Sequence, residues 1–251
     1  GVEGRKAGKW RRGDEAVRGD LPPGASSARG NCLMIPLNGH WGSIKILDTS
    51  KCPSLLFDIN RSLDLSGPLV IDAAPAGVAS SGSSVVFMQL DIYDIFIAEK
   101  ATTIPEQLEK IDLRKRPEVN EEMFKIIQDW YQSPVAVCCF DNWETGETNP
   151  IGFAYQPVDP KNLTVFTLDG HDGRPPVPGK EVEVDHTIFV GSYLMDETKG
   201  ARIEYTENIP QDLAPYMLHS ILGKPIKTTM RNGDVRFSVE KVREGIFEGA
   251  R

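Results

Sequence analysis

The chain is 251 residues long, 40% hydrophobic and 25% charged, with a formal net charge of −8. These values fit an ordinary globular composition, with length for one substantial core or two small ones. No run is long and apolar enough for a membrane span: Ala73 to Leu90 lacks charge but is interrupted by Pro75, Gly77 and Gly82.

Charge is uneven along the chain. Residues 1–30 carry seven basic side chains against four acidic ones, which leaves 21 basic and 32 acidic residues, a net of −11, in the remainder. An acidic body repels nucleic-acid phosphates unless a basic patch overrides it. The densest positive run, Lys110 to Arg116, is short and reads as a solvated helix end or loop. Nucleic acid is therefore not an expected partner.

Residues 1–33 are rich in Arg, Gly, Ala and Pro and show no periodicity. Such a segment buries too little apolar surface to offset its ordering entropy. It is expected to be a disordered basic segment, or a basic arm that binds something. It lacks the apolar stretch of a secretory signal. The chain opens on Gly, which makes Met34 a candidate original start. Residues 34–251 read as a single α+β domain.

From Ile35 the pattern becomes regular. Ser43–Leu47, Ser54–Asp58 and Pro68–Ile71 read as strands, and Ala73–Ser84 as a Gly/Ser loop. Val85–Ala98 fits a helical stripe or a strand, and its β-branched and aromatic content favours the strand. Pro105–Ile111 predicts a short helix. Pro117–Gln132 predicts a longer one, with Pro117 in the first turn, Glu118, Glu121 and Glu122 at the positive dipole end, and an apolar stripe of Val119, Met123, Ile126, Ile127 and Trp130.

Strands are then expected at 135–140, 151–155, 163–168 and 181–190. Asp212–Leu222 predicts a helix with the stripe Leu213, Met217 and Ile221, closed by Gly223 and Pro225. Asn232-Gly233 predicts a type I′ hairpin pairing Arg231 with Asp234, Met230 with Val235, Thr228 with Phe237 and Ile226 with Val239. The whole predicts an α+β fold: a largely antiparallel sheet, two or three packed helices and a C-terminal β-hairpin.

The four cysteines, Cys32, Cys52, Cys138 and Cys139, contain no C-x-x-C pair, so a zinc knuckle is not expected. Reduced thiols in a cytoplasmic protein are the expectation. Cys138 and Cys139 are adjacent in a strand-like run and should face opposite ways.

Chemistry, if there is any, concentrates in Thr167-Leu-Asp-Gly-His-Asp-Gly173 and Val182-Glu-Val-Asp-His186. Imidazole and carboxylate together suit metal binding and acid–base work. Strand alternation puts His186 on the apolar face and Asp185 on the polar one, so the two do not chelate one ion from a regular strand. His186 is either a core histidine with a satisfied partner or a ligand in a cleft. Asp169, His171 and Asp172 sit in a Gly-flanked loop. Either they bond their own backbone, or the loop folds back to bring Asp169 or His171 to His186, with an oxygen and nitrogen donor set for Zn²⁺ or Mn²⁺.

Ser192 lacks a G-x-S-x-G context. His219 falls opposite its stripe, and His40 beside Trp41 suits packing or surface. The Ala74–Ser84 loop matches no nucleotide motif. Asp141–Glu147 is an acidic loop that departs from the EF-hand pattern, with Trp143 as a candidate partner anchor. The leading expectation is a binding or interaction module that uses acidic loops, including Trp143 and 169–179, against a protein or small-molecule ligand. The alternative is a hydrolase, metal-assisted or with a His-activated water, in which Asp169, His171 and His186 do the chemistry and Asp169, His171, Asp172 and His186 hold the metal.

Overall fold

A computed structural model of the protein describes residues 2–5, 30–63, 86–118, 120–144, 148–168 and 175–250. Strand β1 (Val2–Arg5) lies against Ile151–Ala154, and β2 (Gly30–Pro36) against Val135–Asp141. These parts of the compositionally odd segment are therefore in strands: neighbouring chain supplies the pairing that its own sequence does not encode. Residues 6–29 lie outside the described residues.

A single 3-10 turn, Trp41–Ser43, precedes β3 (Lys45–Leu47). Ser54–Asp58 is not a strand but enters helix α1 (Leu55–Ser62). Leu55, Leu56, Ile59 and Leu63 recur at helical spacing and pack together against Ile203 and Ile221. Five residues were too few to reveal that period. The expected strand at 68–71 and the loop at 73–84 lie outside the described residues.

Val85–Ala98 is not one strand but a hairpin of β4 (Val86–Leu90) and β5 (Tyr93–Ala98). Asp91 turns it with φ of 55°, a left-handed conformation that Asp tolerates better than most residues. Helix α2 (Ile104–Leu108) and helix α3 (Glu121–Tyr131) follow. Asn120 caps α3 by accepting the Met123 N–H at 3.0 Å. Pro117 thus stands before the helix, and Val119 lies outside the described residues.

Strands β6 (Val135–Asp141), β7 (Ile151–Ala154), β8 (Asn162–Val165) and β9 (Glu181–Val190) come next. The helix expected at 212–222 is absent. After β10 (Ala201–Arg202), residues Ala214–Tyr216 form one 3-10 turn, and β11 (Ser220–Arg231) begins at once. Its stripe is divided: Leu213 and Met217 pack near Cys52, whereas Ile221 packs on α1.

Strand β12 (Val235–Ser238), α4 (Val239–Arg243) and β13 (Gly249–Ala250) finish the chain. Asn232-Gly233 does not close the expected hairpin. Strand β11 pairs along its length with β9, placing Ile226 opposite His186, while β12 pairs with β8 and β13. The Asn232 N–H donates to the Lys180 carbonyl, and the Gly179 N–H to the Asn232 carbonyl. Asp234 meanwhile accepts from the Tyr131 hydroxyl and the Thr167 N–H. Those long-range partners outweigh the local turn signal.

The fold is α+β, with four α-helices among the described residues and antiparallel strands in the orders β2-β6-β5-β4, β1-β7-β3, β10-β11-β9 and β13-β12-β8. No helix among the described residues is long and apolar enough to cross a membrane. The four-stranded sheet is apolar on both faces. Ile35, Ile95, Ile97 and Cys138 meet Ile151 and Phe153 on one side. Phe96, Val137 and Cys139 share the other with Ile104, Leu108, Phe124 and Ile127 of the helices. Elsewhere Ile188 and Val190 of β9 pack with Val235 and Phe237 of β12.

Asp58 ties α1 to the chain before β11. Its carboxylate is buried, and Oδ2 accepts the Thr206 N–H at 2.8 Å and the Thr206 hydroxyl at 3.0 Å. Asp58→Ala should lower stability by about 1–3 kcal/mol, because those donors lose their acceptor. Urea unfolding midpoints measure this, and an unchanged midpoint would remove Asp58 as a fastener.

Candidate functional site

His186 sits mid-way along β9, half-buried, with Ile226 opposite it. Alternation puts it on the same face as Val184 and Ile188, which are 3% and 4% exposed. Its strand neighbours on that face are thus aliphatic, as the alternation predicted. Asp169, His171 and Asp172 lie outside the described residues, so of the expected site only His186 has a described position. Among the described residues, no group of three or more His, Cys, Asp or Glu side chains is placed to hold a metal ion. Ser192 spends its hydroxyl oxygen on the Leu194 N–H at 3.2 Å. His219 is exposed just before β11, and its carbonyl accepts the Ile203 N–H.

Trp143 projects from the end of β6 and is 73% exposed. Buried Asp141 fixes that turn by accepting the Trp143 N–H at 2.9 Å. Leu113, 77% exposed, belongs to the segment whose Arg114 lies within electrostatic reach of Glu144 and Asp141. The Asp112 carboxyl is held below its ordinary range, first by the Arg114 backbone N–H and then by its side chain. One end of the four-stranded sheet therefore presents two large apolar side chains among charges.

At the opposite end of β6 lies an open cleft of about 520 Å³. Three elements converge there. The link after β2 brings Gly39, His40 and Trp41; the exit of β5 brings Glu99 and Lys100; the last turn of α3 brings Asp129 and Gln132. Gly39 is required by close approach, since a Cβ there would stand 2.5 Å from the Tyr155 ring. The His40 N–H donates to the Gln156 carbonyl at 3.0 Å. Ser43 locks the Trp41 turn, donating to the His40 carbonyl at 2.7 Å and accepting the Gln156 N–H at 2.9 Å. Gln132 takes a left-handed conformation, φ of 47°, as α3 ends. Gln128 bonds the Ala101 N–H at 2.8 Å and so holds helix and strand exit in register.

His40, expected to serve packing or the surface, lines this cleft, which no sequence motif marks. Its members come from three distant segments, and no spacing in the chain links residue 40 to residues 99 and 129. The legible signals were local: a Gly-His-Trp turn, and an Asp on the polar side of a well-patterned helix.

No protein-family model matches this chain, and no curated protein matches it. Among solved structures it is similar to two crystal structures of a mutated baculovirus P35 after caspase cleavage, each at 12% identity. The 3.1 Å structure matches with a TM-score of 0.39, covering 84% of this chain and 87% of that one. The 2.7 Å structure matches with a TM-score of 0.36, covering 84% and 81%.

Gln128→Ala should cost about 1–3 kcal/mol, since the N–H of fully buried Ala101 is left without its acceptor. Amide exchange in residues 99–103 should quicken more than in β2. Equal changes in both segments would show that Gln128 does not frame the cleft.

Proposed function

We propose that the protein is a binding module that holds a small polar ligand in the cleft of His40, Trp41, Glu99, Lys100, Asp129 and Gln132. The observation that carries this reading is the convergence of these groups around an open cleft of about 520 Å³. Among the described residues, their side chains make no hydrogen bond or ion pair, which leaves donors and acceptors of both kinds for a ligand. Trp41 adds an apolar surface beside them. A ligand of amino-acid or monosaccharide size, bearing hydroxyl, amine or carboxyl groups, matches that wall. The domain expected at 34–251 is taken to begin earlier, at Gly30, because β2 pairs with β6.

This reading is preferred to a hydrolase built on Asp169, His171, Asp172 and His186, with or without Zn²⁺ or Mn²⁺, because the cleft brings six polar or aromatic side chains together in one place. The test is a panel of free amino acids and monosaccharides at millimolar concentration, followed by ligand-observed NMR on the full chain. At least one compound should bind, and Asp129→Lys together with Trp41→Ala should abolish its signal. Binding that survives both changes, or no binding across the panel, would overturn the assignment.

Trp143 favours a second reading, a protein partner at the other end of the sheet. A large exposed aromatic beside an Arg has the make-up of an interface anchor. Leu113→Ser with Trp143→Ala should leave the unfolding free energy within about 0.5 kcal/mol of the parent, as exposed positions do. A photo-crosslinker at position 113 should yield a discrete protein adduct, whereas one at exposed Lys45 should not. Identical adducts from both positions would contradict this.

A further inference from the structure

We propose that Cys32 and Cys139 form a thiol pair that closes into a cross-strand disulfide, locking the edge strand β2 to the central strand β6. Cys32 lies directly opposite Cys139 in the antiparallel β2–β6 ladder. The Leu37 N–H donates to the Pro134 carbonyl at 2.7 Å, one step beyond the Pro36–Val135 pair. Leu37–Pro134 is thus a hydrogen-bonded position, and positions alternate along an antiparallel ladder. Counting back, Pro36–Val135, Met34–Val137 and Cys32–Cys139 are the non-hydrogen-bonded pairs. Pro36, which has no N–H to offer, fits that parity.

Non-hydrogen-bonded pairs bring Cα atoms to about 4.5 Å, within the roughly 4.4–6.8 Å that a disulfide spans. The two side chains share one face: Cys139 is buried in the cluster under α2 and α3, and half-buried Cys32 packs against it. Cys138 cannot compete, because it belongs to the cluster on the opposite face. Cys52 sits in a third cluster.

The oxidant is a small disulfide of the glutathione class. The Cys32 thiolate attacks one of its sulfurs, forming a mixed disulfide and releasing one small thiol. Cys139 then attacks the Cys32 sulfur and releases the second. The protein loses two protons and two electrons, and the small disulfide is reduced to two thiols. Burial pushes the Cys32 thiol up to about 12 and raises Cys139 as well. The charged groups beside the pair are Asp94, opposite Cys139 on β5, and Lys115, whose Nζ lies 3.1 Å from the Asp94 carboxylate. Closure is therefore slow at neutral pH, and should quicken about tenfold per pH unit while the thiolate is the minor form.

The full chain is incubated with oxidised glutathione, then denatured and its thiols titrated. Free thiols should fall from the four of the reduced chain to two. Fragmentation of the linked peptides should place the bond between Cys32 and Cys139. Closing so long a loop should raise Tm by roughly 10 °C, reversibly with dithiothreitol. Cys32→Ser, a mild change at a half-buried position, should keep its three thiols, whereas Cys52→Ser should still lose two. Four thiols remaining in the parent, glutathione adducts without an internal bond, a bond mapped elsewhere, or an internal bond in Cys32→Ser would each overturn the proposal.

Discussion

Everything else in this protein is arranged around two strands that have no polar face. All six residues of β5 and the run Val135–Cys139 of β6 are buried. A strand apolar on both sides must be covered on both sides, and must have a neighbour along each edge to satisfy its backbone. The small β1-β7-β3 sheet supplies one cover, and α2 with α3 supply the other. Strands β2 and β4 supply the edges. Polar groups are admitted to this sheet only with partners: Asp94 accepts from Lys115 and Gln89.

The same constraint decides what the central sheet leaves open. The faces of the central sheet are closed, so its two ends remain. Strand β6 spans about 23 Å over its seven residues. One end carries Trp143 and Leu113 on a turn fixed by Asp141. The other opens into the cleft, where Gly39 packs closely on Tyr155 and the Gln128 bond joins α3 to the exit of β5. The thiol pair occupies a third kind of place, inside the helix-covered face next to the Asp94–Lys115 pair.

The elements that sequence alone revealed are those whose burial is decided locally. The α3 helix, with acidic residues in its first turn, was legible, as was the run at 135–140 and the alternation that put His186 on an apolar face; the helix stripe was only partly right, since Ile127 is buried but Trp130 is exposed and Phe124 takes the inner place. Elements fixed by distant partners were misread. Ser54–Asp58 looked strand-like until Ile59 and Leu63 extended its period into a helix that packs on Ile203 and Ile221. Leu213, Met217 and Ile221 matched a helical stripe, yet they are buried in separate clusters. Asn232-Gly233 carried a strong turn signal, but Lys180, Tyr131 and Thr167 hold its neighbourhood in a crossing between two sheets. The cleft was hidden for the same reason, since residues 40, 99 and 129 meet only after the sheet has formed. Adjacent cysteines on opposite faces were anticipated; that Cys139 faces Cys32 required the register.

Native-state hydrogen exchange tests the central claim most directly. If the doubly covered sheet is the keystone, the amides of Ile95–Ile97 and Val135–Cys139 exchange last, and only through global unfolding. The β9–β11 ribbon opens before them. Faster exchange in β5 and β6 than in β9 and β11 would place the keystone elsewhere and contradict the account.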